Sequence, residues 1–193
     1  MPVTINGSPT HVLIVHVVVV LLPAAVVGAL LLVAVPATRR AFSLLTLLVA
    51  FIACAAIPFA FVSGSALERR LPWNPLISRH VHLAHELLPL AAVFGEALAA
   101  FEIEDLLARC RDGRLNDLEL KTVGASPGVR RFAQTRRLTA VHRAVAAVLV
   151  VLAVGTGIQV YRVGDAGAHA AWSGRLSSGH GAYHLPPPGG GPP

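Results

Sequence analysis

Nine histidines lie in this chain of 193 residues, and five of them stand at the starts of two apolar runs: His11 and His16 on the first, His80, His82 and His85 on the second. His11 and His16 are five residues apart, as are His80 and His85. On helices that enter a membrane together, His11 and His80 form an outer layer, and His16 and His85 lie about 7.5 Å deeper. A step of five residues turns a helix by about 140°, so one member of each pair faces the interior of a bundle. The other faces a neighbouring helix, lipid headgroups or a partner. Imidazole combines a lone pair with a second nitrogen that donates a hydrogen bond. Two imidazoles from parallel helices at equal depth suit bis-histidine ligation of haem b. The residues open to that role are His16 from the first run and His80 or His85 from the second, with His11 as a further candidate. A cluster of three suits Cu or Zn, which His11, His80 and His82 would form. The plain alternative is a set of interfacial polar residues bonded to backbone or headgroups.

Other polar groups sit inside apolar sequence. Glu86 adjoins the deeper histidine layer, where it can orient an imidazole, relay protons or be a simple interfacial acid. Glu96 and Arg143 are expected at similar depth near the opposite membrane face, and their spacing predicts an ion pair across the bundle. Catalytic motifs are missing. His85-Glu86 begins the zinc-protease pattern HExxH, but position 89 is Pro. No ExxH pair, P-loop or GxGxxG occurs, so no catalytic activity of its own is expected. Cys54 in an apolar run and Cys110 in a polar stretch are read as unlinked thiols.

The elements that position these residues follow from composition. The chain is 54% apolar and only 13% charged, with a mean hydropathy of +0.65. A soluble domain carries about 25% charged residues. The formal charge of +6 would favour nucleic acid in a soluble protein, but here the basic residues flank apolar runs, so no nucleic acid is expected. Four spans of bilayer length emerge, at about 11–36, 41–62, 80–101 and 138–161. The first is read as a retained helix, since residues 1–10 lack the basic start of a signal peptide. Ser63-Gly64-Ser65 reads as a turn. The third span keeps helical spacing beyond the membrane to about Asp112, with Gly113 as its stop. Residues 102–137 form a basic link with a Ser126-Pro127-Gly128 turn. Residues beyond Tyr161 are expected to be extended or disordered, ending in a Pro/Gly-rich tail at 174–193.

The expected fold is therefore all-α: an antiparallel bundle of four transmembrane helices within residues 1–173, the third extended into the cytosol. Eleven Lys and Arg fall on the side of the two basic connections against five on the other. The positive-inside rule then puts both termini outside the cytoplasm of the cell membrane. Ala24/Gly28 and Gly95/Ala99 are small-xxx-small pairs that permit close helix approach. The partners expected are the lipid bilayer and other membrane subunits.

Several motifs carry a family resemblance. Ile5-Asn6-Gly7-Ser8-Pro9-Thr10-His11 leads into Val15-His16 and Pro23. Ser63-Gly64-Ser65-Ala66-Leu67-Glu68 follows, then His80 before Leu87-Leu88-Pro89, and finally Arg162-Val163-Gly164-Asp165-Ala166-Gly167 with Trp172. Over about residues 3–173, outside the basic link, this resembles the actinobacterial four-helix membrane family catalogued as domain of unknown function twenty-two thirty-one. The resemblance implies four spans. Some relatives carry fused Rieske iron–sulfur domains, which implies a redox setting. His11, His16 and His80 match family positions, whereas His82 and His85 do not. Asp165 stands where the family usually has His, and Glu96 where it has an apolar residue. The first functional expectation is a haem-b electron-transfer subunit of a membrane redox complex. The second is an accessory subunit without cofactor, and the third an outer-face Cu or Zn protein.

Overall fold

The computed structural model describes the backbone of residues 4–5, 8–121 and 128–178, and the side chains of residues 10–111 and 140–172. Four helices make the body: α1 (Thr10–Ala34), α2 (Arg39–Glu68), α3 (Pro75–Lys121) and α4 (Gly128–Ser178). Two short strands, β1 (Thr4–Ile5) and β2 (Ser8–Pro9), pair antiparallel ahead of α1. A 3₁₀ turn, Pro36–Thr38, joins α1 to α2.

Neighbouring helices run antiparallel around a square. α1 packs on α2 and α4, and α3 packs on α2 and α4. The registers agree along each seam. His11 meets Gly64 and Gly28 meets Thr46 between α1 and α2. Phe61 meets His85 and Ser43 meets Glu102 between α2 and α3. The parallel helices α1 and α3 are thus diagonal partners, as are α2 and α4. Fully buried Leu22, Leu32, Phe94, Leu98, Phe101 and Leu149 fill the centre. Small residues such as Ala25, Ala29, Ala50, Ala53 and Ala91 let the backbones approach. Outward faces of α1, α2 and α4 expose Val, Leu, Phe and Ile, as a lipid-facing surface requires. The bundle is the expected fold, and three helical segments are long and apolar enough to cross a membrane: Thr10–Ala34, Pro36–Glu68 and Ala140–Trp172. α3, whose apolar run carries Glu86 and Glu96, is not among them.

The elements outrun the expected boundaries in three places. Ser63-Gly64-Ser65 is helical. Ser63 and Ser65 return their hydroxyls to Ala60 O (3.0 Å) and Phe61 O (3.0 Å), so a turn-like sequence stays inside α2. α3 passes through Gly113 to Lys121. α4 continues past Tyr161 to Ser178, where the expectation was extended chain. No Pro interrupts 162–178, and buried Ala166 packs that stretch onto the bundle. Cys54 and Cys110 are both free thiols. His180, His184, most of the Pro/Gly tail and the Ser126-Pro127 step lie outside the described residues.

Candidate functional site

At the end of the bundle where α1 begins, two imidazoles from the diagonal helices turn inward. His11 on α1 and His80 on α3 have ring centres 6.5 Å apart, with planes at 77°. Each is pinned by the helix beside it. His11 donates Nδ1–H to Ala60 O on α2 at 3.0 Å, with Ser63 Oγ at 3.3 Å. His80 donates Nδ1–H to Val163 O on α4, also at 3.0 Å. A carbonyl can only accept, so both rings carry their proton on Nδ1 when neutral. Nε2 keeps its lone pair in each.

The two seats are built alike. Gly64 stands four residues after Ala60, and Gly167 four after Val163. In a helix the residue at i+4 stacks over carbonyl i, and a glycine there leaves the carbonyl open to a ring from outside. A Cβ at Gly64 would lie 2.9 Å from His11 Cε1, and one at Gly167 would lie 3.1 Å from His80 Cε1. The hairpins α1–α2 and α3–α4 therefore repeat one device: a histidine near the start of the first helix, seated on a glycine of the second.

The other candidate residues fall elsewhere. His16 is exposed and donates to its own turn at Val12 O (2.6 Å), so it does not join the inner pair. The 140° step explains this: with His11 turned inward, His16 turns out. His85 is exposed and leans on Phe61 of α2, ring centres 4.6 Å apart. His82 is 78% exposed and lies 3.5 Å from Glu86 Oε1. His82 therefore does not complete a trio with His11 and His80, and no group of three or more potential metal ligands occurs among the described residues.

Glu86 touches no inner imidazole. Its Oε2 accepts from Gln159 Nε2 (3.0 Å), which also reaches Leu83 O (2.9 Å), while Arg162 donates to Gln159 Oε1 (3.0 Å). This chain of polar groups ties α3 to α4 about one turn below His80. Glu96 and Arg143 are both exposed, and the structure does not pair them. The α3–α4 register is the reason. Arg143 follows His142, which stacks on Phe101 (ring centres 4.9 Å). Glu96 is five residues short of Phe101 and Arg143 one residue past His142 in the same direction, which offsets the two charges by about 6 Å along the axis.

The far end of the bundle holds a cluster that the spacing did not reveal. Arg39 reaches back to Leu32 O (2.7 Å) and Val33 O (3.4 Å), satisfying carbonyls at the end of α1. It also contacts Asp105 (3.3 Å) and His142 Nε2 (3.3 Å), and covers the Phe101 ring. Asp105 bridges to Arg109, and Ser43 donates to Glu102. Burial and the Asp105 carboxylate push the Glu102 acid above its ordinary range, against the pull of Arg109 and Arg39.

Comparison with known proteins gives no match to this chain among family models, curated proteins or solved structures.

Proposed function

We propose that this chain is a membrane-embedded electron-transfer subunit that holds haem b between His11 and His80. The reading rests on one observation above the rest. Two imidazoles from diagonal helices lie with ring centres 6.5 Å apart, and each is held through Nδ1, which leaves Nε2 of both as a lone-pair donor. An iron bonded to both nitrogens at about 2 Å would place the ring centres on the order of 6 Å apart. The donor set and its spacing thus fit a bis-histidine haem.

Such a haem supplies reversible one-electron exchange. The chain supplies everything else. The Ala60 and Val163 carbonyls fix the tautomer and the orientation of each imidazole. Gly64 and Gly167 let the rings sit against backbone. Buried Leu83 and Leu87 on α3, one and two turns below His80, make the surroundings apolar. Membership of the four-helix family resembled by the opening and closing motifs belongs to this proposal. So do α3 as a fourth crossing and the extracytoplasmic placing of the histidine end.

A second reading, an accessory subunit without cofactor, draws on the length of α3 and α4. Both extend well beyond the α1–α2 connection, α3 to Lys121 and α4 from Gly128, and so offer a helical surface to a partner. The absorption spectrum of the protein purified from its native membrane separates the two. A Soret band with a sharp low-spin α band supports the haem. A colourless protein that co-purifies with other membrane subunits supports the accessory reading.

A further inference from the structure

At the end opposite the histidines, Pro36, Ala37, Arg39, Arg40, Asp105 and Arg109 line an open recess of about 400 Å³. From it we infer a binding site for the phosphoryl headgroup of an anionic phospholipid. The inference needs the bundle to be membrane-embedded, but it is independent of any haem.

Charge comes first. Three arginines and one aspartate line the recess. Asp105 is already spent, because its side chain is only 13% exposed and its two oxygens bind Arg39 and Arg109. It holds those guanidinia in place. Glu102 accepts from Ser43 and also lies in the field of Arg39 and Arg109, and Glu104 approaches His142 at 4.0 Å. Arg40 is exposed and, among the described residues, has no hydrogen-bond or ion-pair partner. The Arg109 side chain is 36% exposed. Asp105 and Glu102 offset Arg39 and Arg109, so the uncompensated charge of the recess is that of Arg40, whose guanidinium can bind phosphate in forked geometry beside the accessible part of Arg109. The first turn of α2, which forms one wall, has no side-chain cap, and this adds a favourable dipole.

Position then selects a lipid over a free phosphate. The recess follows directly on the apolar run of α1. Leu44 lies one turn inward from Arg40 on the same face of α2. It is 78% exposed. A headgroup in the recess would lay an acyl chain along this leucine. Basic pockets between membrane helices hold acidic lipids in this manner.

The test uses the full-length protein in mild detergent and counts retained lipids by native mass spectrometry. Phosphatidylglycerol should be retained over phosphatidylcholine. Arg40→Gln should weaken phosphatidylglycerol retention about fivefold, and Arg40→Lys should largely preserve it. Arg69→Gln with Arg70→Gln, at the opposite end of α2, should leave retention unchanged. Equal retention of the two lipids would overturn the proposal, as would an Arg40→Gln variant that behaves like wild type. Displacement of the lipid by millimolar inorganic phosphate would replace the lipid assignment with a free-anion site.

Discussion

The histidine seats make a sharp prediction about glycine. Replacing Gly64 with Ala puts a Cβ 2.9 Å from His11 Cε1. Carbon atoms in contact prefer about 3.5–4.0 Å, so the ring must retreat by roughly 0.6–1 Å. Such overpacking costs about 1–3 kcal/mol. The retreat also stretches the 3.0 Å bond to Ala60 O, a loss of about 1 kcal/mol. Against this stands the gain in helix propensity of Gly→Ala, about 0.8–1 kcal/mol. The net expectation is a loss of about 1–3 kcal/mol. Gly167→Ala, with its contact at 3.1 Å, should lose somewhat less. Gly155 and Gly164 provide the controls. A Cβ at either meets nothing within 4 Å, so Ala there should be neutral or stabilising. Thermal unfolding of the four variants in detergent reads the result and needs no cofactor. If Gly64→Ala is as stable as Gly155→Ala, His11 does not occupy the seat described.

Four further outcomes are expected. Gly28→Ala places a Cβ 2.7 Å from Thr46 Cγ2 and should destabilise the α1–α2 seam by about 1–3 kcal/mol; Thr46→Ala, which removes the two nearest atoms, should recover most of that loss in the same melt. Asp105→Asn leaves the poorly exposed Arg39 without its carboxylate, and chemical unfolding should show a loss of about 2 kcal/mol, moderated by the carbonyls that Arg39 still holds. The raised Glu102 acid retains its proton longer in the folded chain than in the unfolded one, so its contribution is full below the ordinary carboxylate range and is lost as pH rises through the elevated value; stability of Glu102→Gln should fall less than wild type over that window. A double-mutant cycle on Glu96 and Arg143, both exposed and unpaired with each other, should give a coupling near zero.

Much of the architecture was legible because apolar length and charge placement dictate it. The uncharged first run and the arginines after it mark α1 and its end, and parallel direction for α1 and α3 follows from counting spans. The five-residue spacing also foretold that one histidine of each pair would turn inward. Which one depends on helix phase, and that is set by contacts with other helices. Ala25, Ala29 and Leu32 fix the rotation of α1, and this sends His11 inward and His16 out. Gly64 was legible only as a turn residue, since a seat depends on what crosses it. A carbonyl at i with glycine at i+4 is the pattern that would have pointed to Ala60–Gly64 and Val163–Gly167. The Asn6-Gly7 step between β1 and β2 was a readable hairpin signal. The Glu96–Arg143 expectation failed on register, because span ends read from hydropathy alone are uncertain by a turn or more.

The central claim is that His11 and His80 share one redox centre. Optical spectra of wild type, His11→Ala, His80→Ala and His16→Ala, each purified from the native membrane and matched for protein, test it most directly. A low-spin haem signal is expected in wild type and His16→Ala, with that signal lost or converted to high spin in both His11→Ala and His80→Ala. A wild-type protein without haem would contradict it, and so would a low-spin signal that survives removal of either inner imidazole.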